Sequence, residues 1–124
     1  MSAILIVVPD RATSEGVERC VAAALPEAER VIATSVSSAI IGLRRRDLIG
    51  AVVDLVMHDS TMRSVAAHAR MVHGDAFPIV TLGENETEGT RLAVEAVGSS
   101  AHFSRPFDAP ELVEAFRRVF GTAE

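Results

Sequence analysis

One carboxylate interrupts an otherwise apolar stretch in the middle of the chain. Residues 50–57 read GAVVDLVM, which is the composition of a strand buried on both faces except for Asp54. An ionised carboxylate removed from water is costly unless it is paired, binds a cation or lies at an open strand end. Asp54 is therefore either tolerated because a partner neutralises it, or retained because it has a chemical role.

Short apolar runs alternate with segments of helical periodicity along the chain. The runs predict five strands, at residues 3–8, 31–34, 51–57, 77–82 and 101–104. Between them, steps of three and four predict amphipathic helices that carry residues 17–25, 37–46, 62–73, 88–97 and 110–119. Because parallel strands need crossover helices, we predict an α/β fold with a doubly wound, five-stranded parallel sheet. Ligand sites in such sheets lie beyond the carboxyl ends of the strands, and Asp54 falls toward that end.

Composition excludes several classes of protein. The 124 residues predict a single domain over residues 1–124, and no apolar run approaches the roughly 20 residues that cross a membrane. The start lacks a secretion signal, so we expect a cytoplasmic protein without membrane contact. A net charge of -5, with no Trp or Tyr, argues against nucleic acid as a partner.

Several side chains that could do chemistry are predicted to have only structural roles or to lie at the surface. Cys20 lies on an apolar helix face, which predicts a buried thiol. The cluster of arginines at residues 44–46 is predicted to be the solvated end of the second helix. Three histidines lack the spacing with Cys or acidic residues that marks a metal site, and we predict that they are surface residues: His58, His68 and His73.

Four motifs together resemble the receiver domain of bacterial response regulators. These are five strand-and-helix units, an Asp-Leu-x-Met at Asp54, a proline opening the fourth strand at Pro78, and Arg-Pro-Phe-Asp from Arg105, which Gly98 precedes by seven residues. The resemblance covers residues 4–120 and implies a flavodoxin-like (βα)5 fold of three α/β/α layers. It also implies a signalling domain rather than an enzyme, in which Asp54 accepts a phosphoryl group from a histidine kinase or phosphotransfer protein.

The resemblance implies a Mg²⁺ site, from which this sequence departs. Mg²⁺ binds through one or two carboxylates together with waters and phosphate oxygens, and the family places an acidic pair after the first strand. Here Val8 and Pro9 stand at those positions, and the acidic residue is Asp10, one place later. Asp10 is either a shifted metal ligand or the N-cap of the first helix. The implied Mg²⁺ site therefore consists only of Asp54, Asp10 and the main-chain carbonyl of Val56.

Three further positions depart from the family pattern. Gly83 stands where the family has a phosphate-sensing Ser or Thr, and Thr81 is predicted to face the core or a sheet edge. Arg105 replaces a lysine, which keeps the charge but not the shape, and Pro106 is expected to keep the family's cis peptide bond. His102 replaces the switch aromatic. It is either a pH-sensitive side chain that turns inward or outward, or a solvated histidine on an exposed strand edge.

Three functional interpretations remain open at this point. The first is a divergent receiver domain that acts through protein–protein interaction, with weak or no Mg²⁺-dependent phosphorylation of Asp54. The second is a conventional receiver phosphorylated on Asp54, against which stands a plain ion pair between Asp54 and Arg105. The third is a small flavodoxin-like cofactor-binding domain, but the chain has neither a glycine-rich phosphate loop nor a nucleophile with a base.

The resemblance also implies a partner surface, because the family usually associates through its fourth helix, fifth strand and fifth helix. We expect a protein effector or a second copy of the chain there. Mixed charges around Val94 and Val113, which we predict to be exposed, suit a self-complementary dimer. The other residues of this face are Arg91, Glu95, His102, Glu114, Arg117 and Arg118.

Overall fold

The computed structural model describes residues 2–55, 59–84 and 88–121, and strands and helices alternate through them. The elements are β1 (Ala3–Val7), α1 (Arg11–Ala24), β2 (Glu29–Ala33), α2 (Val36–Gly42), β3 (Leu48–Asp54), α3 (Asp59–His73), β4 (Ile79–Gly83), α4 (Glu88–Val97), β5 (Ala101–Ser104) and α5 (Ala109–Gly121). The strands form one parallel sheet in the order β2-β1-β3-β4-β5. The predicted flavodoxin-like fold is confirmed.

The sheet is covered by helices on both faces, and the side chains of β1 show why. Leu5 and Val7 pack into one core with residues of α2, α3 and α4, whereas Ile4 and Ile6 pack into a second core with α1 and α5. Successive strand residues point to opposite faces, so a strand between two cores has no position for an exposed polar side chain. Burial on both faces of the sheet therefore explains why the strands appear as apolar runs in the sequence.

The predicted bounds of several elements are confirmed, and others shift. α4 and β5 have the predicted bounds, while β3 begins at Leu48, three residues earlier than expected, because its pairing with β1 starts there. Gly74 and Gly98 follow α3 and α4 with φ of +98° and +69°, the left-handed conformation that ends many helices. On α3, Val65 and Ala69 are buried, whereas Val72 is 45% exposed.

The arginine cluster is not the solvated end of a helix, because α2 already ends at Gly42. Arg45 lies in the loop that follows and donates from Nε and Nη2 to the two carboxylate oxygens of Asp47, at 3.0 and 2.7 Å. It also pairs with Glu29 at the start of β2. These bonds lower the pKa of Asp47 and of Glu29, and they join the loop to the edge strand.

Gly50 is required by the packing of α5 on the sheet. A Cβ at this position would lie 2.3 Å from Cε1 of Phe120 and 3.2 Å from the carbonyl oxygen of Pro78. Phe120 is fully buried and stacks on Phe116, so its ring has little room to move. The glycine in β3 therefore lets the last turn of α5 pack closely against the strand that carries Asp54.

Within the described part of the chain, no helix combines the length and apolar character needed to cross a membrane.

Candidate functional site

The strand order reverses between β1 and β3, and Asp54 lies at this point. It is the last residue of β3 and is paired in register with Leu82 of β4. In doubly wound sheets the crevice beyond the carboxyl ends of such strands is the usual ligand site. Only 1% of the Asp54 side chain is exposed, so its carboxylate is buried at the edge where chemistry is expected.

Arg105 neutralises this buried carboxylate directly. Its Nη2 donates to Oδ2 of Asp54 at 2.8 Å, and 26% of the arginine side chain remains exposed. The Arg105 main chain is held by a bond of 2.8 Å from its N–H to the carbonyl of Gly83, and its guanidinium carbon lies 5.0 Å from the centre of the Phe107 ring. The Arg105–Pro106 peptide bond is cis, as expected. The ion pair that the sequence left open as an alternative is present.

Asp10, the candidate metal ligand after β1, caps helix α1. Its Oδ2 accepts hydrogen bonds from the main-chain N–H and the hydroxyl of Thr13, at 2.9 and 2.6 Å. These two bonds, and to a smaller extent the charge of Arg105, lower the pKa of the Asp10 carboxyl. Val8 is fully buried and continues the pairing of β1 through a bond to Ala33, and Pro9 has no carboxylate to offer.

The two described carboxylates that could offer oxygens to Mg²⁺ at this edge both have other partners. Over residues 2–55, 59–84 and 88–121, no three His, Cys, Asp or Glu side chains converge in a way that could hold a metal. One carboxylate at this edge is bonded to Arg105 and the other caps α1, whereas Mg²⁺ needs oxygens that accept it in octahedral geometry. Val56, whose main-chain carbonyl the resemblance implied as a ligand, lies outside the described residues.

His102 is turned toward the sheet, and the interpretation as a solvated edge residue is wrong. It is half-buried, and its Nδ1 lies 2.8 Å from the hydroxyl of Thr81, its register partner on β4. Thr81 is fully buried, which agrees with the prediction that it faces the core. Its hydroxyl also lies 2.8 Å from the hydroxyl of Ser99. The imidazole covers Gly83: a Cβ there would lie 3.0 Å from Cε1 and 3.2 Å from Nε2 of the ring.

This hydroxyl–imidazole network is the feature that sequence reasoning missed. The sequence predicts only that Thr81 faces the core or a sheet edge, and it indicates neither a partner for this hydroxyl nor a role for Ser99. The available signal was the spacing of the strands, because a parallel pairing of β4 with β5 brings Thr81 opposite His102. Register between strands is a long-range property that the separate runs do not specify.

The remaining candidates have structural roles. Cys20 is 7% exposed, and burial raises the pKa of its thiol, in agreement with the predicted buried cysteine. His73 is not a free surface residue: its Nε2 bonds the carbonyl of Leu43 at 2.8 Å, and its ring stacks on Phe77. His68 is half-buried on α3, and His58 lies outside the described residues.

The expected partner face exposes different apolar side chains from those predicted. Val94 and Val113 are half-buried rather than exposed, and Val113 packs against the core beneath α5. Leu92 of α4, which the sequence did not single out, is 57% exposed. β5 is an edge strand, so the face consists of a free strand edge between two helices.

Comparison with known proteins identifies the fold. Neither a protein-family model nor a curated protein sequence matches this chain. Among solved structures, a CheY-like response regulator receiver domain protein from Methanospirillum hungatei JF-1 is similar over 99% of this chain and 96% of its own, with a TM-score of 0.81 and 15% identity. A putative response regulator from Chloroflexus aurantiacus J-10-fl covers 97% and 98%, with a TM-score of 0.79 and 18% identity.

A third similar structure was crystallised with a metal. The receiver domain of a sensor histidine kinase from Pseudomonas aeruginosa PAO1, crystallised with a magnesium ion coordinated in its active site cleft, has a TM-score of 0.73 and 19% identity over 98% of this chain and 99% of its own. The predicted resemblance to receiver domains is thus confirmed at the level of the fold.

Proposed function

We propose that this chain is a receiver-type signalling domain that acts through protein–protein contacts, with weak or no Mg²⁺-dependent phosphorylation of Asp54, and that it is not an enzyme. The observation that carries the proposal is the ion pair between Asp54 and Arg105. The similarity in fold to receiver domains over nearly the whole chain supports the signalling role.

The ion pair affects phosphorylation because of what phosphoryl transfer requires. An attacking carboxylate oxygen must reach the phosphorus in line, and a cation must neutralise the charge that both reactants carry. Here Oδ2 of Asp54 already accepts a bond from Arg105, and the side chain is almost fully covered. A phosphoryl donor would have to displace the guanidinium before attack, and the described residues around it offer few ligands to a replacement cation.

A conventional receiver is the second candidate, and the position of Asp54 at the carboxyl end of β3 favours it. A guanidinium is a good phosphate ligand, so Arg105 could move from the carboxylate to a phosphoryl group formed there. A histidine kinase or phosphotransfer protein would then be the donor. The two candidates make opposite predictions for the Mg²⁺-dependent phosphorylation of Asp54.

Intact mass after incubation with acetyl phosphate and Mg²⁺ distinguishes them. We expect little or no gain of one phosphoryl group in the wild-type chain, and none in Asp54→Asn. Arg105→Lys restores the family's residue and serves as the matched variant, in which any gain should increase. A nearly complete, Mg²⁺-dependent gain in the wild type that Asp54→Asn abolishes would establish the conventional receiver instead.

We also infer that the binding surface is the face formed by α4, β5 and α5. It combines an edge strand, the exposed Leu92 and charges of both signs, including Arg91 and Glu95. A second copy of the chain fits this composition, because a two-fold interface must be complementary to itself.

A further inference from the structure

Three polar side chains form one continuous hydrogen-bonded chain at the β4–β5 edge. The hydroxyl of Ser99 lies 2.6 Å from the carbonyl oxygen of Ala101 and 2.8 Å from the hydroxyl of Thr81. Thr81 in turn lies 2.8 Å from Nδ1 of His102. None of these three contacts involves Asp54 or Arg105.

The number of protons available to these contacts points to one tautomer of the imidazole. A carbonyl only accepts, so the Ser99 hydroxyl donates its single proton to Ala101. The Thr81 hydroxyl then donates to Ser99 or to the same carbonyl of Ala101, which lies 3.4 Å away, because Ser99 has no second proton to give. The contact between Thr81 and His102 is therefore a hydrogen bond only if Nδ1 of His102 carries a proton and donates it.

The packing of the imidazole ring over Gly83 is consistent with the same inward orientation. The imidazole lies over Gly83, close to where the methyl group of Thr90 on α4 also approaches. A side chain at position 83 would compete with the ring for this space. Gly83 therefore makes room for His102, and it supplies no hydroxyl that could connect Asp54 to the imidazole.

We propose that Thr81 and Ser99 are positioning residues that hold His102 turned inward and protonated on Nδ1, so that the β5 edge keeps one conformation irrespective of the state of Asp54. The significance of this edge for signalling rests on the proposed function, because β5 belongs to the inferred binding face. The orientation is read from these distances, and the protonated nitrogen is inferred from the number of protons available to the contacts.

Nitrogen-15 NMR of the histidine side chains tests the proposal at about pH 8, where an ordinary histidine is neutral. We expect nearly all of His102 as the Nδ1–H tautomer in the wild type. His73 is the internal reference for the opposite tautomer, because its Nε2 must donate to the carbonyl of Leu43. A wild-type His102 protonated on Nε2 would overturn the proposal.

Two variants at Thr81 test the cause. Thr81→Val keeps the shape of the side chain but removes the acceptor, so His102 should change from nearly pure Nδ1–H to a mixture of tautomers. Thr81→Ser keeps the hydroxyl and should retain the wild-type signal. If Thr81→Val does not fold, Ser99→Ala replaces it, because loss of the next hydroxyl should also reduce the Nδ1–H fraction. An unchanged tautomer in a folded Thr81→Val or Ser99→Ala protein would refute the positioning role.

Asp54→Asn tests independence from the acidic residue. We expect the His102 signals to be the same in Asp54→Asn as in the wild type, and a change of tautomer would overturn this part of the proposal. The measurement needs neither a partner nor a phosphoryl donor. Its failure is therefore distinct from failure of the proposed function, which is read from the intact mass.

Discussion

Arg105 determines the chemistry available at the sheet edge. Its guanidinium bonds the carboxylate at the end of β3 through Nη2, and its central carbon lies over the ring of Phe107, so two contacts determine its place. A compact ammonium at this position would bind one oxygen and remain mobile, whereas the planar fork of arginine occupies a fixed place. Arg105 thus supplies Asp54 with an internal cation.

Replacing Arg105 with Met should destabilise the protein, because it deprives the buried Asp54 of this cation. We expect the free energy of unfolding to fall by an amount near the lower end of about 3–5 kcal/mol, since 26% of the Arg105 side chain is exposed to water. Asp54→Asn removes the charge, so the double variant should lose less than the two single variants together. Chemical denaturation of the four proteins measures the coupling, and additive losses would contradict it.

The sequence identified which residues belong to the site better than it identified their contacts. Asp54 was recognisable as a polar exception within an apolar run, and its pairing with Arg105 was one of the alternatives left open. An inward turn of His102 was one of the alternatives, but its contact with Thr81 was not predicted, because Thr81 is 21 residues away in sequence and lies opposite His102 only in the sheet. Such contacts follow from the register of two strands rather than from local pattern.

The elements of the fold were predictable because burial leaves a clear pattern in each type. The strands between the two cores appear as continuous apolar runs, and the helices carry apolar residues at steps of three and four. α4 and β5 have the expected bounds, since a left-handed glycine separates them. The start of β3 was placed too late, at residue 51, whereas the strand begins at Leu48 and contains Gly50. The reason for a glycine there is the ring of Phe120, which reaches the strand from an element at the far end of the chain.

Gly50→Ala should therefore lower the free energy of unfolding by about 1–3 kcal/mol, the usual cost of overpacking a close-packed core. The added Cβ would lie 2.3 Å from the fully buried ring of Phe120. Gly16→Ala in α1 is the matched control, because its Cβ would approach only Nη2 of Arg19, at 4.0 Å. That control should be neutral or more stable by about 0.5–1 kcal/mol, since alanine favours helix. Equal losses in a denaturant titration would contradict the packing explanation.

For the whole molecule, the helix layers leave two sheet edges where another chain can approach, β2 and β5. At β2, the loop residue Arg45 pairs with Glu29, which places charges beside the strand and discourages pairing with a second chain. β5 lies between α4 and α5, where Leu92 is exposed among charges of both signs. The second edge is therefore the better surface for a partner of defined shape.

If a second copy binds there, Leu92→Asp should weaken the dimer by about 10–100-fold, because an apolar contact worth about 1.5–3 kcal/mol is lost. Ile41→Asp is the matched control, since Ile41 is similarly exposed at 61% but lies on α2, away from this face. Light scattering over a range of protein concentrations measures both variants beside the wild type. A wild-type chain that stays monomeric at the highest concentration, or equal effects of the two substitutions, would rule out the dimer and leave the α4–β5–α5 face to a different protein partner.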